Sequence, residues 1–185
     1  MPLTTLDPNT ALIVIDLQKG LAGLVPAEVF DPIVVRSAAL AAAFRARGLP
    51  VVLVTADGVA PGRSEQATRL DNLPPGFADV LPALDQQPGD IAVVKRTWGV
   101  FARTDLEQRL RALGVTQVVV TGVATSIGVE STARQAYEAG FNVTLAIDAM
   151  ADLLPSAHDN SIANIFPRLG ETGTTDEILA LLAQG

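Results

Sequence analysis

The chain has 185 residues, 49% hydrophobic and 18% charged, which suits one core-rich domain over 1–185 rather than a disordered segment. Lys and Arg number 13 against 20 Asp and Glu, a net charge of −7. That balance argues against nucleic acid and against an anionic membrane surface as partners. No cysteine and a single histidine exclude disulfides, thiolate metal sites, a cysteine nucleophile and a two-histidine metal centre within the chain. No metal and no cofactor is expected, and the polar start MPLTTLDPNT, without a basic or apolar leader pattern, sets the expectation of a cytoplasmic protein.

In chain order, Ala11–Ile15 (ALIVI) reads as a buried strand ending at Asp16. Residues 28–47 are rich in Ala and Leu and meet Gly48, a helix with its stop signal. Val51–Val54 is a second strand. Residues 57–90 hold Pro61, Pro74, Pro75, Pro82 and Pro88 and read as a long irregular surface segment, the kind that often carries function. Ile91–Val94 is a third strand and runs into Lys95. Thr104-Asp-Leu-Glu107 has the capping-box pattern and opens a helix carrying Leu106, Leu110 and Leu113 on one face, with Gly114 at its end. Gln117–Thr121 is a fourth strand. Thr125–Ala139 reads as a helix with Thr125 as its cap, and Asn142–Ile147 as a fifth strand ending at Asp148. Ser156–Leu169 reads as a helix. Residues 171–173 supply a short sixth strand, and Thr174–Glu177 is a second capping box before a last helix.

This alternation of apolar strands and helices predicts an α/β fold: three αβα layers around a mostly parallel, roughly six-stranded sheet. In such sheets ligands bind beyond the carboxyl ends of the strands. That rule selects Asp16, Asp57, Lys95 with Arg96, the turn Gly122–Gly128 and Asp148. No G-x-G-x-x-G and no P-loop is present, so nucleotide phosphates have no motif to hold them. Asp16 after five apolar residues is either a paired strand-end carboxylate or a functional one. Lys95 at the same edge is its natural partner. The turn Gly122-Val-Ala-Thr-Ser-Ile-Gly128 leads into a helix, whose free N–H groups suit an oxyanion or a carboxylate. Trp98 and Phe101 are either core or the wall of a small-molecule pocket. A rival reading takes Ser126, Asp148 or Asp152, and His158 as a serine-hydrolase triad, in the chain order of an α/β-hydrolase.

The motifs ALIVIDLQKG (Ala11–Gly20), VVKRTWGVF (Val93–Phe101), Thr104–Met150 and IFPRLGET (Ile165–Thr172) resemble the isochorismatase-like hydrolases over nearly the whole chain. The resemblance implies a Rossmann-like α/β topology, a small-molecule substrate and assembly as a homo-oligomer, a dimer or tetramer. It places the family's catalytic Asp at Asp16, its Lys at Lys95 and its nucleophilic Cys at Gly128. It also implies a non-proline cis peptide at Val123–Ala124, with the amides of Ala124 and Gly128 lining an oxyanion pocket. Gln18, Arg96, Trp98, Phe101, Val123, Ala124 and Thr125 are the expected substrate-binding residues, with Arg63 and Arg103 as further candidates for holding carboxylates.

Glycine at position 128 closes the acyl-enzyme route of the amidase members. Asp57-Gly58-Val59 departs from the Asp-x-His of the metal-binding nicotinamidase branch. The resemblance therefore points to the vinyl-ether-cleaving members, in which Asp16 would protonate an enolpyruvyl group of isochorismate or a related small carboxylated substrate. Lys95 beside Asp16 favours the carboxylate, so this acid role requires desolvation. The alternatives are an unknown amide or ester attacked by water that Asp16 activates, and a degenerate protein that binds a small molecule without turnover.

Overall fold

The computed structural model describes residues 3–66 and 72–184. Its sheet comprises β1 (Thr10–Ile15), β2 (Val51–Ala56), β3 (Ile91–Lys95), β4 (Gln117–Val123), β5 (Asn142–Ala151) and β6 (Glu171–Gly173). The order is β3-β2-β1-β4-β5-β6, with every neighbouring pair parallel. The chain leaves β1 towards one edge and returns at β4 to build the other. The β1/β4 boundary is thus the switch point where such sheets place a site.

Among the described residues five α-helices accompany the strands: α1 (Ala27–Ala46), α2 (Leu106–Ala112), α3 (Glu130–Glu138), α4 (Pro155–Asn160) and α5 (Thr175–Gln184). Side chains alternate across a strand, so β1 feeds two cores. Ala11, Ile13 and Ile15 join Val118, Val120, Leu106, Leu110, Ala133 and Ala136 on the α2/α3 face. Leu12 and Val14 join Phe30, Ile33, Leu40 and Phe44 of α1 and Ile178 and Leu182 of α5 on the other. Each fully buried Leu, Ile, Val or Phe contributes about 1.5–3 kcal/mol relative to exposure. Every residue of β1, β2 and β4 is buried, whereas β3, an edge strand, alternates buried and exposed. This explains why the first, second and fourth strands read as unbroken apolar runs.

The short strand expected near 171–173 is present as β6. The second capping box also forms: Thr174 N–H donates to Glu177 Oε2 at 2.7 Å, and Glu177 N–H donates to Thr174 Oγ1 at 3.3 Å. The first does not. Thr104 Oγ1 accepts the N–H of Leu106 at 3.3 Å rather than that of Glu107, while it donates to Val100 O at 2.6 Å. The single helix read over 156–169 is three pieces: α4, a wide π-type turn Ser161–Ile165 and a 3-10 turn Phe166–Arg168. Pro167 lacks an N–H and cannot continue an α-helix. β5 runs four residues beyond the expected end at Ile147, with a register shift against β4 between Val120 and Gly122. Within the irregular segment 57–90, residues 67–71 lie outside the described residues. Among the described residues no helix is long and apolar enough to cross a membrane.

Candidate active site

Asp16 directly follows β1, and its backbone turns into the left-handed region (φ 56°). Its N–H is anchored to Val54 O at 2.9 Å. A non-glycine residue held there costs on the order of 1 kcal/mol and persists only where its surroundings enforce it. β3 ends at Lys95, two strands away and therefore about 10 Å across the sheet. The lysine side chain spans β2, and its Nζ donates to Asp16 Oδ2 at 2.7 Å. Both residues are buried, Asp16 at 6% and Lys95 at 3% exposure.

The second carboxylate oxygen, Asp16 Oδ1, is buried and has no hydrogen-bond partner among the described residues. Such an oxygen carries a desolvation cost of about 1–3 kcal/mol, and native folds leave few of them. Burial pushes the Asp16 carboxyl above its ordinary range, against the opposing pull of the Lys95 ammonium. A carboxyl so placed holds a proton more readily than a surface aspartate does.

Beside it, β4 approaches β1 so closely that only glycine fits at 122. A Cβ there would lie 2.0 Å from Ile15 O, and φ is 111°. The Val123–Ala124 peptide is cis, as the resemblance implied. A wide turn Thr125–Val129 follows and runs directly into α3. In it Val129 N–H reaches back five residues to Ala124 O at 3.2 Å. Among the described residues, the N–H groups of Ala124 and Thr125 have no acceptor, so they remain available at the amino end of this helix. Gly128 completes the ring. A Cβ at that position would lie 3.3 Å from Asp16 Oδ2, 3.0 Å from Ile15 Cγ2 and 3.2 Å from Val123 O. Gly128 thus faces the Asp16 carboxylate without bringing a side chain to it.

The other sequence-selected residues divide. Val123, Ala124 and Thr125 are buried at the site. Gln18 is buried beside it, but its amide is fully occupied: Nε2 donates to Ala56 O at 2.9 Å and Phe77 O at 3.1 Å, and Oε1 accepts Ala56 N–H at 2.6 Å. It clamps β2 to the segment after it. Arg96 is bound in a fork to Asp57 at 2.8 and 3.1 Å, which holds the Asp57 carboxyl below the usual range. Trp98 is 60% exposed. Phe101 packs away from it, stacked on Phe141 at 5.8 Å between ring centres. Arg63 and Arg103 are exposed. Asp148 accepts Thr175 N–H and Oγ1 at 2.7 and 2.9 Å, capping α5.

The serine-hydrolase triad is not assembled. Ser126 Oγ donates directly to Asp152 Oδ2 at 2.7 Å, while His158 Nδ1 pairs with Thr125 Oγ1 at 2.8 Å. A triad requires the imidazole between serine and aspartate, and here it contacts another residue. Thr125 is accordingly not the helix cap that its position suggested. That part falls to Asp152, which also accepts Ser126 N–H at 2.7 Å. The pairing of Asp152 with Ser126 spans 26 residues, and the sequence brings the two together only as members of the rival triad.

The chain matches the isochorismatase domain model over residues 10–177. It is 42% identical over 183 residues to the uncharacterized isochorismatase family protein YecD of Escherichia coli O157:H7, covering 94% of this chain and 96% of that one. It is 34% identical over 194 residues to the ureidoacrylate amidohydrolase RutB of Methylobacterium radiotolerans, covering 86% and 74%. The solved structure of an isochorismatase family protein from Burkholderia thailandensis superposes with a TM-score of 0.92 at 41% identity, over 97% of this chain and 98% of that one.

Proposed function

The chain belongs to the isochorismatase family of hydrolases, and from that premise we propose that it cleaves the enol-ether bond of a small carboxylated substrate with Asp16 as general acid. The observation that carries this reading is the buried Asp16 Oδ1 without a partner, on a carboxyl whose affinity for protons is raised by burial. It lies beside a glycine rather than a nucleophile.

In this mechanism Asp16 Oδ1–H donates its proton to the terminal methylene carbon of an enolpyruvyl group. The double-bond electrons form the new C–H bond, and the ether carbon becomes an oxocarbenium ion. Water adds there and loses a proton, giving a hemiketal. Its C–O bond to the ring then breaks, and pyruvate and the ring alcohol leave. Lys95 stabilises the Asp16 carboxylate left by the first step, and the free N–H groups of Ala124 and Thr125 stabilise negative charge on substrate oxygen. No protein nucleophile takes part, in keeping with glycine at 128.

Likeness to an amidohydrolase supports a second reading, in which ionised Asp16 activates water against an amide. The pH dependence separates the two. An acid Asp16 gives kcat/KM that falls as pH rises through its raised pKa, whereas a base gives kcat/KM that falls as pH drops through it. The first test is pyruvate release from isochorismate by wild type and Asp16→Asn. Release that drops by about a thousandfold in the variant supports the acid role, well within what a positioned proton donor contributes. Absence of release from wild type removes the enol-ether reading.

A further inference from the structure

We propose that Asp152 and His158 are positioning residues that hold the site-lining turn 124–129 in place. For its effect on turnover the proposal rests on the reading above.

The wide turn is not bonded as an α-helix: Glu130 N–H donates to Thr125 O, five residues back. Val129 N–H bonds back to Ala124 O over five residues, and Ile127 N–H shares that same acceptor at 3.1 Å. Such π-type turns are rare and are frequently found at functional sites. Side-chain tethers support the turn from outside, and they come from one stretch of chain after β5. Asp152, 9% exposed, takes both donors of Ser126, N–H and Oγ–H, on a single carboxylate oxygen at 2.7 Å each. Its other oxygen accepts Leu154 N–H at 3.1 Å, which fixes the carboxylate plane. Hydrogen bonds to an ionised carboxylate are about twice as strong as neutral ones, and a negative charge at a helix amino end is favourable.

His158 makes the second tether, from α4. Its Nδ1 meets the hydroxyl of Thr125, a side chain with no exposed surface. One turn further on, buried Ser161 Oγ donates to Glu130 Oε2 at 2.6 Å. Residues 125, 126 and 130 are therefore all gripped from the segment 152–161. Ala124 stands directly before the first grip and Gly128 lies between the second and third. Of the two free N–H groups, that of Thr125 sits on a gripped residue and that of Ala124 directly before it, while Gly128 faces Asp16 between the grips.

The division of labour follows. The protein assigns one N–H of the helix end, that of Ser126, to its own carboxylate, and by doing so fixes the direction of the neighbouring free ones. Groups acting on a transition state lose about a hundredfold in rate for misplacement near 1 Å. Loosening this brace accordingly lowers kcat rather than weakening substrate binding.

The test combines amide hydrogen exchange at residues 124–129 with kcat and KM for pyruvate release from isochorismate. It uses wild type, Asp152→Ala, Asp152→Asn and the near-isosteric Thr125→Val, each first checked as folded by circular dichroism. The expected result is about tenfold faster exchange across the turn in Asp152→Ala, with kcat down about tenfold to a hundredfold and KM within about twofold. Asp152→Asn, which keeps one acceptor for Ser126, recovers part of both. Thr125→Val, which removes the His158 tether, gives the smaller effect. Unchanged exchange in folded Asp152→Ala overturns the proposal. So does a lowered melting temperature with kcat unchanged. If wild type releases no pyruvate, the enol-ether reading falls, and the exchange data alone decide for or against the brace.

Discussion

The two ends of the central strands bury polar groups in opposite ways. At the amino end, Gln117 is 3% exposed and uses its whole amide. Oε1 accepts Asp7 N–H at 2.6 Å and Thr10 Oγ1 at 2.9 Å, while Nε2 donates to Thr144 Oγ1 at 3.0 Å and to Thr5 O at 3.4 Å. This network ties the incoming chain to three strands and leaves nothing over. At the carboxyl end, Asp16 is equally buried, yet one of its oxygens is bonded only to Lys95 and the other to nothing. A saturated polar cluster specifies the fold. An unsaturated one, held in a left-handed backbone at the switch point of the sheet, is kept at a cost to stability and is available to a substrate.

The largest expected effect tests that cost. Lys95→Met leaves the Asp16 carboxylate buried without its cation, and breaking such a pair costs about 3–5 kcal/mol near neutral pH. The sign with pH is fixed by the direction of the shift. Asp16 already has a folded pKa above its unfolded value, and loss of Lys95 raises it further. The stability held while both states are protonated, below the unfolded pKa, is lost as pH rises through the folded pKa. Urea unfolding of Lys95→Met at a series of pH values is therefore expected to converge on wild type near pH 4 and diverge above it. Adding Asp16→Asn to the variant restores most of the loss at neutral pH. A pH-independent loss would mean that the lysine acts through packing alone.

At the saturated end, Gln117→Ala strands the Asp7 N–H and removes the bond to Thr144, while the Thr10 hydroxyl keeps Asp7 O as its acceptor at 2.6 Å. Each unsatisfied buried group costs about 1–3 kcal/mol, partly relieved by water at this half-open edge. The expected loss is about 2–3 kcal/mol in the urea midpoint, with kcat and KM unchanged. A fall in kcat would show that the two ends are coupled along β4.

How much of this contrast is legible in the sequence follows from its range. The strands are legible because burial on both faces writes itself as runs such as ALIVI and VVV. Asp16 and Lys95 stand out because each is a charge placed directly after such a run. The tethers of the turn are not legible in this way. Ser126 and Asp152 are 26 residues apart and Thr125 and His158 are 33 apart, and no periodicity links them. Hydrophobic spacing also cannot tell an α-helix from one interrupted by a wide turn, so 156–169 reads as continuous when it is not. Thr104 and Thr174 head the same local pattern, and only the second forms the box, because Thr104 Oγ1 accepts Leu106 N–H instead of Glu107 N–H.

The smallest expected effect on stability falls at Gly128, where two opposing terms nearly cancel. Alanine gains about 1 kcal/mol over glycine within a helix. The added methyl meets Ile15 Cγ2 at 3.0 Å, Val123 O at 3.2 Å and Asp16 Oδ2 at 3.3 Å. The neighbours must yield by a few tenths of an ångström, and overpacking costs about 1–3 kcal/mol. Gly128→Ala should therefore shift the urea midpoint by less than about 2 kcal/mol. Its effect on turnover is separate. Ile15 lies in a filled core and Val123 O is backbone, so the carboxylate of Asp16 is the neighbour with freedom to move, and it turns away from its position beside Lys95. Pyruvate release is then expected to fall about tenfold, in line with the sensitivity of a positioned acid to small displacements, and the Asp16-dependent limb of the pH profile should shift with it. A Gly128→Ala enzyme with wild-type rate and an unmoved pH limb would show that the empty place beside Asp16 is not used by the reaction, and would confine the functional part of this sheet end to the carboxylate and its lysine.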